Sequence, residues 1–355
     1  MAESHTPVPA AMDPDGRGPA EFETWWSRFR VGVARFRTRF GPDPDTILLN
    51  TRNRPERLLW PSLMHFCDWS LSDYGFHGDP SRQPRTVFVK PRHRYLRAFF
   101  TRYLPRIATG TRFVLITGSG DLTVPRQVDR RFDSFEGTDL AAWFAALRAD
   151  PRLVRWYGDN VDLEGAGIEP IPCGAAGPWG GCPSWRIADY LRPVRLDDRP
   201  LRASCLQRVR QGPQWEVRRR VAGLATTRWR GIVDVLDPVP VGEFFATVQR
   251  YPFTICASGG GLDPSPKAWA AMLAGSIPII ERNPMAAAYR ELPVAVVDSW
   301  SEGCITRERL EAWRSELAPH YEDAGLRRQV LARMSMGHWW RKVRADLGDD
   351  GGSRG

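Results

Sequence analysis

The chain alternates two hydrophobic patterns. Short unbroken apolar runs rich in Val, Ile and Phe predict strands buried on both faces. Stretches where apolar residues return every three or four positions predict helices with one buried side. The runs at 86–90 and 112–117 are of the first kind. Between them Leu96, Phe99, Phe100, Tyr103 and Leu104 recur at helical spacing in RYLRAFFTRYLPRI. A second helical stretch, DLAAWFAALRADP, leads into the strands LVRWYGDN and GIEPIPCG. Strand and helix in alternation predict parallel α/β architecture.

The alternation breaks at AAGPWGGCPSW, heavy in Gly, Pro and Trp, and at the charged RPVRLDDRPLR. A domain boundary is therefore expected between about 175 and about 200. The pattern then restarts. LRASCLQ, FTICAS, IPIIER and VAVVDSW read as strands, and QWEVRRRVAGLA, PVGEFFATVQRY, SPKAWAAMLAG and MAAAYREL as helices. Two amphipathic helices follow, TRERLEAWRSELAPHY and DAGLRRQVLARMSMGHWWRKVRADL. The expected units are a disordered tail over 1–20, a Rossmann-like domain over 21–190, and a second over 191–325. A closing helix over 326–347 and a flexible tail over 348–355 complete the chain. Two such halves enclose a cleft, with ligands held beyond the carboxyl ends of the strands.

Composition narrows the class. Of 355 residues, 42% are hydrophobic and 11% aromatic, too many for general disorder. No window is apolar over the roughly 18 residues that a membrane helix needs. The N-terminus lacks the basic-then-apolar order of a secretory signal, so a cytoplasmic location is expected. The net charge is +9, yet lysine occurs only at Lys90, Lys267 and Lys342. Arginines spread along the whole chain argue against a nucleic-acid protein, which would gather them on one face. An anionic ligand remains compatible with the charge. The cysteines at 67, 173, 182, 205, 256 and 304 form no C-x-x-C pair and no zinc spacing. They read as reduced, buried thiols.

The stretch richest in chemistry is YPFTICASGGGLDPSPKAWAAMLAGSIPIIERN. A strand over 253–257 runs into Ser258, Gly259, Gly260 and Gly261, and a helix begins near Ser265. Glycines at a strand-to-helix turn let backbone N–H groups approach a ligand, and a helix N-terminus favours negative charge. Lys267 lies in the first turn of that helix, where a cation opposes the dipole unless an anion is bound. The spacing is neither G-x-G-x-x-G nor a Walker loop.

Residues 243–300 resemble the C-terminal half of exostosin-like glycosyltransferases of the GT-B fold. The resemblance runs through Gly261-Leu262-Asp263, Lys267, Trp269-Ala270-Ala271-Met272-Leu273 and Gly275-Ser276-Ile277-Pro278-Ile279-Ile280, then Leu292-Pro293 and Asp298 to Trp300. Further pieces follow in the same order in the N-terminal half. These are Thr117 to Asp121 through Pro125, Trp156 to Val161 and Ile171-Pro172-Cys173-Gly174, while at the C-terminus His338-Trp339-Trp340 resembles the family's closing aromatic helix. The likeness spans about residues 85 to 345 and departs in two places. Ala270 stands where many GT-B transferases keep a ribose-binding Glu, and one residue is inserted at Pro264-Ser265-Pro266.

The resemblance implies two Rossmann-like domains facing a cleft, with the last helices bracing the first. It implies sugar transfer from a nucleotide-sugar donor to a glycan or other hydroxyl acceptor, as in polysaccharide biosynthesis, with no metal and no cofactor beyond the nucleotide-sugar co-substrate. The leaving diphosphate is then met by Ser258, Gly259, Gly260, Gly261 and Lys267, with Arg208 or Arg210 as a second cation. Asp263 or Glu281 would replace the missing ribose contact. Asp121, at a strand's carboxyl end, is the candidate proton acceptor, and Asn160 a candidate acceptor contact. His65, His93 and Asp68 are less well placed. Most tryptophans (143, 269, 313, 339) fall on apolar helix faces, whereas Trp179 and Trp185 are candidates to face an acceptor sugar. The alternative is a catalytically lapsed GT-B module that binds a nucleotide or glycan without turnover.

Overall fold

The computed structural model describes residues 45–49, 62–73, 75–175, 182–264 and 266–348. The expected tail over 1–20, Trp179, and all of 348–355 except Gly348 lie outside them. Among the described residues the strands form two sheets. The first runs β2-β1-β3-β4-β5-β6, with β1 Trp69–Ser72, β2 Gly75–His77, β3 Thr86–Val89, β4 Phe113–Thr117, β5 Leu153–Gly158 and β6 Ile168–Pro170. Only the β1–β2 hairpin is antiparallel. Every residue of β3 and β4 is buried, which is why they appear in the sequence as unbroken apolar runs.

Helix α1 (His93–Ala98) continues through a π turn at Phe99–Tyr103 into a 3-10 turn at Leu104–Arg106. Its pitch tightens where Pro105 removes a backbone donor. Helix α2 (Asp139–Arg148) starts at Thr138, whose hydroxyl accepts the Leu140 N–H.

The second sheet is wholly parallel, in the order β11-β10-β9-β7-β8. Its strands are β7 Ala203–Cys205, β8 Val233–Val235, β9 Phe253–Ile255, β10 Ile277–Glu281 and β11 Ala295–Val297. Helix α3 (Glu216–Thr226) links β7 to β8, α4 (Val241–Val248) links β8 to β9, and α5 (Pro266–Leu273) links β9 to β10. The segment MAAAYREL, expected as an α-helix, forms a 3-10 turn over Pro284–Tyr289, started by the Asn283 side chain accepting the Met285 N–H.

Helices α6 (Arg307–Leu317), α7 (Ala324–Arg333) and α8 (Met336–Ala345) close the chain. The sequence suggested one helix where α7 and α8 stand. They part because segment 45–49 inserts hydrogen bonds at the break, Leu48 N–H to Met334 O and Met336 N–H to Thr46 O. Trp339, Trp340 and Val343 of α8 join the core of the first half. Tyr157 OH donates to Asp346 at 2.6 Å and Lys342 to Glu169 at 2.9 Å, fixing the brace at its edges. Helix α5 also packs into this first core, through Trp269, Ala270, Met272 and Leu273. The chain thus has the expected pair of Rossmann-like units, joined by continuous apolar packing. No described helix is long and apolar enough to cross a membrane.

Candidate functional site at the switch point between β7 and β9

Chain order reverses between β7 and β9, because β8 lies to one side of β7 while β9, β10 and β11 follow on the other. Connections leaving such adjacent strands turn to opposite faces and open a crevice beyond their carboxyl ends. Cys205 ends β7 and Cys256 follows β9, so both thiols mark this crevice. All six cysteines are buried and none is in a disulfide. Burial pushes the Cys256 thiol up to about 12, despite the nearby Lys267 and Arg218.

Two cations occupy the crevice. Lys267 stands in the first turn of α5 with its Nζ shut off from solvent. Burial first, then the Arg218 guanidinium, lower its pKa to about 8. Arg218 reaches in from α3, donating to Ser258 O at 3.2 Å and Arg208 O at 3.3 Å. Its hydrogen-bond acceptors among the described residues are carbonyl oxygens, and burial followed by Arg210 lowers its pKa to about 10. A Cβ at Gly259 would displace the Arg218 guanidinium. Gln214 closes the same wall, donating to Gly259 O at 2.7 Å.

At the mouth, the Trp215 ring carries three guanidiniums, those of Arg210 (5.0 Å), Arg218 (5.1 Å) and Arg131 (5.3 Å). The last comes from the first half. Segment 208–220 holds Arg208, Arg210, Arg218, Arg219 and Arg220 against Glu216. The arginines are therefore locally enriched here, and Arg210 and Arg218 of this group lie on the Trp215 ring.

The carboxyl edge of the first sheet meets this edge directly. Asp121, on the turn after β4, is 27% exposed and accepts from Arg131 Nη2 at 2.7 Å. Gly260 packs on that ion pair. Asp129 takes Arg131 at 2.6 Å and also accepts the Gly261 N–H at 3.0 Å. Asn160 is 1% exposed, so it does not present a surface to an acceptor. It fastens the two halves, donating to Gly120 O at 2.9 Å and accepting the Leu262 and Asp263 N–H groups at 2.9 and 3.1 Å. The expected phosphate amide of Gly261 is thus already engaged.

The remaining predicted residues are placed as follows. Asp263 is buried between the halves, accepting from Cys173 Sγ at 3.1 Å and Tyr289 OH at 3.1 Å. Ala270 is buried in the core, so its position faces packing rather than a ribose. Glu281 ends β10 and accepts the Trp300 N–H at 3.1 Å, and burial raises its pKa. Arg208 is exposed, and its carbonyl rather than its side chain touches Arg218. Trp185 is exposed as well. His65 is tied to Ser62, and Asp68 holds the Arg85 and Thr86 N–H groups. The sequence did not single out Arg218, Arg131, Asp129 or Trp215.

No protein-family model and no curated protein matches the chain. Among solved structures it is similar to an α-glucosyltransferase in complex with UDP and a 13-mer DNA containing a HMU base, with 8% identity over 74% of this chain and 80% of that chain and a TM-score of 0.37. It is also similar to the DNA-modifying enzyme β-glucosyltransferase, with 10% identity over 73% of each chain and a TM-score of 0.33. An α1,3-fucosyltransferase is a third, with 13% identity over 77% of this chain and 79% of that chain and a TM-score of 0.30. At these scores no residue role is carried across, and the site rests on its own geometry.

Proposed function

We propose that the chain is a glycosyltransferase of the exostosin-like kind, moving a sugar from a nucleoside-diphosphate donor to a hydroxyl acceptor on a glycan. The observation that supports this reading most is the pair of desolvated cations, Lys267 and Arg218, at the switch point of the second sheet. A buried ammonium beside a guanidinium costs folding free energy and is relieved by a bound polyanion. In the transfer, the bond from the sugar C1 to the phosphate oxygen breaks and its electron pair leaves on the diphosphate, where these cations stabilise it. The acceptor oxygen bonds to C1 and its proton passes to a carboxylate, for which Asp121 remains the candidate once Arg131 lets go.

A lapsed module that binds without turnover is the second reading. It is favoured by the Gly261 amide being taken by Asp129 and by the burial of Ala270. A thermal-shift screen against UDP, GDP, TDP, CMP and their sugar conjugates tests the first step. One nucleotide should raise the melting temperature dose-dependently, and Lys267→Ala should abolish the shift. Sugar release from the donor that scores then separates enzyme from lapsed module. No shift with any nucleotide sinks the donor site.

A further inference from the structure

We infer that Asp129 is a built-in anion that competes with the donor diphosphate for the turn after β9, so that donor binding unlatches the two halves. The inference rests on the donor reading above. Three successive backbone N–H groups of that turn point at side chains of the first half. Gly261 donates to Asp129, and Leu262 and Asp263 donate to the Asn160 side-chain oxygen. Gly261 has φ +69, a left-handed conformation that turns its N–H towards the first half, where the Asp129 carboxylate accepts it.

The Asp129 carboxylate is buried and also accepts the Arg131 backbone N–H at 3.0 Å. Arg131 neutralises it, holding both oxygens through Nε and Nη2. The same guanidinium pairs with Asp121 and lies on the Trp215 ring that Arg218 shares. A diphosphate arriving at Arg218 and Lys267 brings more charge and more acceptor oxygens than one carboxylate. If a phosphate oxygen takes the Gly261 N–H, Asp129 loses that contact. Arg131 and Asp121 must then rearrange, because Gly260 packs on their ion pair. The latched population also lowers apparent donor affinity by the fraction that is not open.

The probe is inorganic pyrophosphate, measured by calorimetry on the full chain. Asp129→Asn keeps the shape and an acceptor oxygen but removes the competing charge, and it should bind about tenfold more tightly than wild type. Hydrogen exchange on the wild type supplies a second readout that needs no variant. Pyrophosphate should quicken exchange in the peptide covering 126–132 and slow it in the one covering 258–264. Equal or weaker binding by Asp129→Asn, or unchanged or slower exchange over 126–132, overturns the latch. If pyrophosphate binds wild type and Asp129→Asn equally, and Lys267→Ala abolishes it, the donor site stands and the latch alone fails. If neither wild type nor Asp129→Asn binds pyrophosphate, the donor reading fails and takes the latch with it.

Discussion

Lys267 lies against Arg218 at the carboxyl ends of β7 and β9, and burial together with that guanidinium holds its ammonium at a pKa of about 8. An unfolded lysine titrates near 10.4, so the folded state binds fewer protons between these values. Stability therefore rises as pH climbs through that window, because the burden of a buried charge is lifted. At pH 7 the burden is roughly 3 kcal/mol. Lys267→Met should melt several degrees higher than wild type at neutral pH, with the gap closing by about pH 10. Calorimetric melts at both pH values check this. A lower melting temperature at neutral pH would mean that Lys267 contributes more to the fold than its burial costs.

Binding should follow the opposite course. The charged ammonium attracts a diphosphate, so affinity is full below about pH 8 and declines above it, by up to tenfold per unit. Titrating the nucleotide that scores in the thermal-shift screen from about pH 6 to about pH 10 measures the slope. A flat profile would remove Lys267 from the site.

Arg218→Lys is expected to weaken nucleotide binding about tenfold or more. An ammonium cannot stack on Trp215 while also reaching Ser258 O as the planar fork does. Arg219→Lys, one residue on and exposed, should leave affinity within about twofold on the same assay.

Much of this arrangement is readable from residue order. The runs that became β3, β4, β9 and β10 are legible because both of their faces are covered, leaving no polar alternation to confuse them with loops. Strand β1, with the sequence WSLS, is equally buried but carries serines that bond locally, as Ser70 does to Met64 O, so its pattern is mute. The Gly259–Gly261 turn and Lys267 stand out since glycine runs and lysines are rare in this chain. Arg218 and Arg131 do not, because in a sequence this rich in arginine no single one carries a signal. Asp129 and Asn160 act across more than a hundred positions of chain, a separation that no local spacing encodes.

Gly261→Ala should destabilise the protein by about 1–3 kcal/mol, as Cβ at φ +69 is strained and would press on the Asn160 amide. Urea denaturation reads the loss. A cost near zero would mean the interface yields easily, and the fastening there is loose.

Arg327 gives the chain's ending a role that bracing does not describe. Its guanidinium is 0% exposed and caps the last carbonyls of α5, Met272 O at 2.8 Å and Leu273 O at 2.9 Å, while also holding Tyr190 O at 3.2 Å. The helix that carries Lys267 at one end is thus bolted to α7 at the other. The two ends of α5 are held differently, the first turn carrying Lys267 and the last turn tied to α7. Removing the chain beyond residue 323 would take away the donor that Arg327 gives to these three carbonyls, at the far end of the helix whose first turn carries Lys267.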